Sequence, residues 1–459
     1  MTSAPVDTDT TVVKALRRLR MPQTQRNREL GLLLFSFVVT GAAAALVQLG
    51  ARDALDATFL YYCGGIGLLT LILHIVLRLR APQADPFVVP IASLLSGLGV
   101  VMIYRLDVAV NDEGWDALST RQLVWAAIAI AGAVAVVIFL RNYRVLFRYT
   151  YLFGLSGIVL LLLPFVPGLG VEAGADVWVS IGGIFSFQPG ELAKIALGIF
   201  FAGYLVRTRE ALTSVGHRFL GMTWPRPREL GPLLVVWLAS MAIIVLQRDL
   251  GTGLLLFGMF VAMLYAATGK TSWVLMGVIL AVAGAFAASR VLPYVQGRFT
   301  NWLDAFNPAL MDNSSHQLVN GLFGLAQGGL IGTGWGQGRP QLTPLAASDY
   351  IFPSLGEELG LIGVFAILLL YMVFVSRGIR IGVTGQDDFG KLLAIGLSFT
   401  IALQVFIMVG GVTRVIPLTG LTTPFLAAGG SSLVANWLIV ALLLRISDAV
   451  RSRPRVVIG

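Results

Sequence analysis

The feature that most constrains this chain is a succession of apolar stretches long enough to cross a lipid bilayer. Stretches of about twenty residues, which span roughly 30 Å as helix, begin near Leu30, Phe59, Phe87, Leu123, Tyr149, Glu191, Pro232, Gly251, Ser272, Ser354, Leu392 and Ser431. Composition points the same way. Of 459 residues, 56% are hydrophobic and only 12% charged, about half the share of a soluble domain, so lipid must cover what water cannot. The expected fold class is all-α: a polytopic transmembrane helix bundle of about twelve spans, with a long extracytoplasmic loop before the tenth.

Charge distribution sets the topology. One set of alternate connections holds the amino-terminal cluster, Arg78/Arg80, Arg141/Arg144/Arg148, Arg207/Arg209/Arg218/Arg226/Arg228, Lys270, Arg377/Arg380/Lys391 and Arg451/Arg453/Arg455. The other holds Asp107/Asp112/Glu113/Asp116, Glu172/Asp176 and a long segment from about Pro293 to Phe352. Positive loops stay in the cytoplasm, so both termini are expected there and the long loop outside. The net charge of +9 therefore orients the chain and gives no sign of nucleic-acid binding. The single cysteine, Cys63, allows no intrachain disulfide, and three scattered histidines give no zinc set.

The expected organisation is a basic cytoplasmic tail (1–29), two additional spans (30–86), a main membrane domain (87–446, outer loop about 293–353) and a second cytoplasmic tail (447–459). Met1 to about Thr11 reads as a disordered tail. Beyond it, Lys14, Arg17, Arg18 and Arg20 with Leu16 and Leu19 suit either a short helix lying on anionic lipid or a solvated tail that fixes topology. No internal repeat of the kind that builds secondary transporters can be read.

Charges and broken backbone inside the apolar layer are costly, about 2.5–3.5 kcal/mol per charge on insertion scales, and mark four candidate groups. In Gln188-Pro189-Gly190-Glu191-Leu192-Ala193-Lys194, Glu191 and Lys194 share one helical face and can pair, while lining either a polar cavity or a structural contact. In Gln247-Arg248-Asp249-Leu250-Gly251-Thr252-Gly253, Asp249 suits a helix cap. Asp349-Tyr350-Ile351-Phe352-Pro353 followed by Gly356-Glu357-Glu358-Leu359-Gly360 places one carboxylate where the long loop enters a span and two more about two turns later. A half-shielded carboxylate tends toward a raised pKa, which suits a general base or acid. The fourth group runs from Arg414 through Pro417, Gly420 and Pro424 to Gly429-Gly430-Ser431-Ser432, a segment that breaks helix at membrane depth. It survives there only if buried in protein or lining a wet cavity. The alternating glycines Gly328 to Gly338, with Gly334 and Gly336 central, could offer successive N–H groups as a pyrophosphate cradle.

In this order, these stretches resemble the SEDS (shape, elongation, division and sporulation) family, which includes the RodA and FtsW proteins. The matching segments are Phe187 to Lys194, Gln247 to Gly253, Gly328 to Gly338, Ser348 to Phe352 with Gly356 to Gly360, and Ile416 to Ser432, together spanning the chain from about Phe87 to Arg445. The first two spans look like an amino-terminal addition. The resemblance implies a peptidoglycan glycosyltransferase that joins lipid II units by β-1,4 bonds and releases undecaprenyl diphosphate. It implies that Asp349 is the base for the acceptor hydroxyl. Glu191, Lys194, Gln188, Glu357, Glu358, Asp249, Arg414, Ser431 and Ser432 would line the substrate cavity, and Gln317, Gly334 and Gly336 would meet substrate from the outer loop. A divalent cation, magnesium or manganese, would screen the leaving diphosphate, but no ligand set for one can be read. Implied partners are lipid II, membrane lipid and a single-span class B penicillin-binding protein, a transpeptidase.

The sequence departs from the family pattern at Gly190 and at Ala427-Ala428, and at Val177, where an arginine is usual. In the outer loop, Ser315-His316-Gln317 and Asn320 also depart from it. A lipid II flippase and a non-catalytic scaffold for a transpeptidase are the competing readings.

Overall fold

The computed structural model describes residues 8–170, 177–181, 185–213, 217–219, 222–224 and 227–452. The expectations placed on Glu172, Asp176, Arg226, Arg453 and Arg455, and on the side chains of Lys14, Leu16, Arg17, Arg18, Leu19, Arg20, Arg218 and Arg228, lie outside the described residues. In chain order the helices begin with α1 (Thr8–Arg52), α2 (Thr58–Arg80), α3 (Val88–Val110), α4 (Leu118–Phe139), α5 (Val145–Arg148) and α6 (Thr150–Leu162). They continue with α7 (Pro189–Thr213), α8 (Pro227–Leu246), α9 (Leu250–Thr268), α10 (Thr271–Val291), α11 (Pro293–Leu303) and α12 (Pro308–Met311). The last are α13 (His316–Gly328), α14 (Ile351–Thr384), α15 (Asp388–Val412) and α16 (Gly430–Ser452). Two short hairpins pair Val179–Ile181 with Phe185–Phe187, and His217–Phe219 with Met222–Trp224.

Ten of these helices are long and apolar enough to cross a membrane, and two shorter apolar helices, Thr150–Phe165 and Val235–Leu246, accompany them. That agrees with the expected dozen. α3 is buried along its whole apolar window and forms the centre, whereas α10 is almost wholly exposed. Large apolar side chains such as Phe35, Leu152, Val278, Ile279 and Phe365 face outward. A surface of that kind is stable only against lipid.

The bundle has two ends. At the basic end, Arg445 donates to the Leu140, Arg80 and Arg141 carbonyls at 2.7, 3.0 and 2.7 Å, closing the C-termini of α2 and α4, where a cation also meets the negative end of each helix. At the opposite, loop-bearing end, the Gln188 N–H donates to Ser431 Oγ at 2.8 Å, joining the starts of α7 and α16. The long segment before α14 is folded rather than extended, since α11, α12 and α13 all lie within it.

α14 is two helices joined at Gly360, whose φ of 66° lies where only glycine is relaxed. The break frees backbone groups that hydrocarbon cannot satisfy, and the glycine-rich segment satisfies them. Leu361 and Ile362 donate to Gly329 and Leu330 carbonyls at 3.0 and 3.1 Å, while Thr333 and Gly334 donate to Glu357 and Glu358 carbonyls at 3.0 and 2.9 Å. The irregular stretch between α15 and α16 is solved in the same way. Leu421, Thr423, Phe425, Leu426 and Ala427 are buried. Gln122 donates to the Ala427 carbonyl at 3.1 Å, Gln404 to the Thr422 carbonyl at 2.9 Å, and the Ala428 N–H to the Ala347 carbonyl at 2.7 Å. Burial in protein therefore accounts for the half from Leu421 to Ala427, whereas Arg414 to Gly420 stays partly exposed.

Candidate functional site

Asp349 sits at the loop-bearing end, two residues before α14. It does not cap that helix: Tyr350 occupies the cap position, and no side-chain cap bond is made there. Among the described residues, no hydrogen bond or ion pair engages its carboxylate. It is half-buried. Burial pushes the Asp349 carboxyl up to about 6, with the Arg298 charge opposing and the Asp249 charge adding. Gly420 shares this mouth, with φ 77°. A Cβ there would lie 3.7 Å from Asp349 Oδ2 and 4.0 Å from the terminal nitrogens of Arg298. Arg298, on α11, is held by its bond to the Leu418 carbonyl at 3.0 Å, so the irregular segment and α11 together present the guanidinium toward the acid.

From this mouth a polar chain runs inward. Asp249 caps α9, accepting from the Thr252 N–H at 3.0 Å, as its sequence context indicated. Burial raises its carboxyl, the Thr252 bonds hold it down, and the Glu191 and Arg298 charges act in opposite senses. Gln188 donates to Asp249 Oδ2 at 3.3 Å. One turn further, Lys194 Nζ lies 2.5 Å from Glu191 Oε2, with the side chains 2% and 8% exposed, and Lys194 also donates to Gln404 at 3.1 Å. Thr422 donates to Ser432 Oγ at 3.0 Å, and Asn436 to the same oxygen at 3.3 Å. The structure thus brings Asp349, Asp249, Gln188, Glu191, Lys194, Ser431 and Ser432 to one end of the bundle, in neighbouring contacts.

Other expected site residues are placed elsewhere. Glu358 accepts from Arg105 Nε at 2.9 Å and from the Gly336 N–H at 3.0 Å, and Glu357 accepts from the Arg339 N–H at 2.6 Å. These carboxylates fasten the glycine-rich segment to α14 and do not join the Asp349 mouth. The Gly334 and Gly336 amides are therefore committed to Glu358, which corrects the pyrophosphate cradle read from the glycine spacing. Arg414, expected in the cavity, instead donates to the Trp302 and Leu303 carbonyls at 2.7 and 2.6 Å. It is a clamp between α11 and the end of α15. Gln317 is half-buried on α13.

Sequence reasoning assigned no role to Arg298, Gln404 or Arg105. Arg105 carried a signal, a charge inside an apolar run, and its buried pair with Glu358 explains it. Gln404 is a neutral amide in a span and Arg298 a loop arginine, so only the fold reveals what they touch. Among the described residues no three His, Cys, Asp or Glu side chains are grouped to hold a metal ion. Asp349 and Asp249, with an arginine acting on both, make an incomplete donor set.

Fold and site together define a multi-pass helical membrane protein with a half-buried carboxylate of raised pKa at one end of a buried polar chain. A family profile described as cell cycle protein, covering FtsW, RodA and SpoVE, matches residues 86–452, and the chain belongs to that family. It is 45% identical over 442 residues to the peptidoglycan glycosyltransferase RodA of Mycobacterium tuberculosis, covering 94% of this chain and 93% of that one. It is 33% identical over 375 residues to the stage V sporulation protein E of Bacillus subtilis, covering 80% of this chain and 98% of that one. Among solved structures, a chain of a peptidoglycan synthase complex that coordinates polymerization and crosslinking superposes with a TM-score of 0.65 at 25% identity, over 81% of this chain and 99% of that one. α1 and α2 lie outside the residues that the family profile matches.

Proposed function

We propose that this protein is a peptidoglycan glycosyltransferase that polymerises lipid II, with its loop-bearing end facing the extracytoplasmic side and both termini in the cytoplasm. The observation that carries the reading is Asp349, a half-buried, unpartnered carboxylate raised to about 6 beside Arg298. A group of that pKa is ionised near neutral pH yet basic enough to take a proton in a transition state. Asp349 accepts the proton of the acceptor GlcNAc 4-hydroxyl as its oxygen attacks C1 of the donor MurNAc. The new β-1,4 bond forms while the C1–oxygen bond to undecaprenyl diphosphate breaks, and the electron pair leaves with the diphosphate. Arg298 supplies positive charge at the mouth where that charge develops. Asp349 then returns its proton to water.

Glu191 and Lys194 balance the interior of the cavity, and Gln188 and Asp249 connect them to the mouth. Basic residues at the opposite end support the orientation. The structural relative works within a synthase complex that joins polymerization to crosslinking, which supports a partner transpeptidase of the class B penicillin-binding type. The chain is 45% identical to the mycobacterial RodA over 94% of its length and 33% identical to the sporulation protein over 80%, which favours a RodA-like role.

The test is purified protein with fluorescent lipid II in detergent, a single compartment. Glycan strands are expected. A flippase or a scaffold would leave lipid II unpolymerised.

A further inference from the structure

A second polar cavity lies apart from the Asp349 mouth. It has a volume of about 510 Å³ and sits between α13, the glycine-rich segment and the turn Pro340–Leu342, within the roughly 300–1,000 Å³ of small-molecule sites. We propose that it is a subsite for the uncharged amino-sugar backbone of the glycan strand, with the peptide stems turned outward, holding glycan that has already passed the reaction centre; this deepens the polymerase reading and rests on it.

The lining carries the argument. Gln327 presents a primary amide that is both donor and acceptor, as sugar hydroxyls and acetamides require. Asn320, whose Nδ2 meets His316 Nε2 at 3.0 Å and the Leu342 carbonyl at 3.3 Å, offers its carbonyl oxygen, and Gln337 offers its oxygen and its second N–H. Phe323 adds a ring 52% exposed, an apolar face for the C–H face of a pyranose. The formal charges of the lining are one of each sign, Arg339 and Glu357. Glu357 is buried and fixed, since its Oε1 accepts the Arg339 N–H at 2.6 Å. A diphosphate entering here would meet a carboxylate that cannot turn away, so a neutral ligand fits and a polyanion does not.

The wall itself is kept open and rigid. A Cβ on Gly324 would approach Glu357 Oε2 to 3.2 Å, and Gln337 is held by its bond to the Gly50 carbonyl of α1 at 2.9 Å. The cavity also neighbours the reaction centre. An adjacent face of α13 carries Gly321, which packs on the ring of Tyr350, the residue after Asp349. A helix is about 10 Å across, so a strand extended at Asp349 reaches the cavity within a few sugars.

The experiment titrates the full-length protein in nanodiscs with chitotetraose, a β-1,4 N-acetylglucosamine oligomer, and separately with inorganic pyrophosphate. Asp349→Asn serves as a background in which no strand is made. Chitotetraose is expected to bind wild type and Asp349→Asn with affinities within twofold. The combined Asn320→Ala, Gln327→Ala, Arg339→Ala variant should weaken it at least tenfold, and in the wild-type background it should shorten the strands made from lipid II. If that variant is unfolded by its melting profile, Phe323→Ala, at an exposed ring, takes its place with an expected loss of at least threefold. Unchanged chitotetraose binding in the folded variant, or competition by pyrophosphate for the same site, overturns the proposal. Polymerisation by Asp349→Asn would instead remove the polymerase mechanism, leaving the binding titration to judge the cavity on its own.

Discussion

Lys194→Met tests whether the buried pair in α7 acts as one unit. In the folded protein, Lys194 Nζ lies 2.5 Å from Glu191 Oε2 with both side chains nearly inaccessible, and Gln404 accepts a second bond at 3.1 Å. Removing the lysine alone strands an ionised carboxylate in a low-dielectric interior, which costs about 3–5 kcal/mol. Replacing both partners with neutral side chains of similar volume removes the desolvation cost with the attraction, and is often neutral. Glu191→Gln with Lys194→Met is therefore expected within about 1 kcal/mol of wild type, giving a coupling of at least about 2 kcal/mol in a double-mutant cycle. The assay is equilibrium unfolding in mixed micelles across the four proteins, with polymerisation measured in parallel. The proposed cavity role adds a second expectation: the double variant is stable yet slow. Additive single costs, or a Lys194→Met cost below about 1 kcal/mol, would refute the reasoning.

Two further outcomes follow from the geometry. The rate with lipid II should climb with pH through about 6 and then level, because Asp349 accepts a proton only when ionised and its carboxyl is raised to about 6. Arg298→Gln removes the charge that opposes that rise and should move the midpoint upward; a pH–rate profile unmoved by Arg298→Gln contradicts the assignment. At the other end of the glycine-rich segment, a Cβ on Gly50 would come within 2.2 Å of the Trp335 carbonyl. Gly50→Leu should loosen the segment that stitches the break in α14, at about 1–3 kcal/mol. Hydrogen exchange over residues 329–338 should rise, and unaltered protection would show that α1 does not brace the loop.

The spans were legible because hydrocarbon length is a coarse demand that composition meets openly, and each expected start falls at or near an observed helix. The Asp249 cap and the Glu191–Lys194 pair were also legible, since both depend on residues three apart in sequence. What sequence spacing could not show was which distant backbone each group serves. Glu358 finds Arg105 across 253 positions, and Arg414 finds Trp302 across 112. The glycines from Gly328 to Gly338 looked like an anion cradle because free N–H groups and N–H groups committed to a broken helix have the same sequence signature. Arg298 stayed unassigned for a similar reason, because its position against Gly420 arises only when the segment between α15 and α16 folds back over α11.

The most direct test of Asp349 as the base is the strand yield of purified Asp349→Asn with fluorescent lipid II, at matched folding and matched partner binding. An amide of the same shape cannot accept the hydroxyl proton, so no strands are expected from a protein that still binds substrate. Strands at the wild-type rate would show that the proton leaves by another route, and the catalytic role given to this carboxylate would fall.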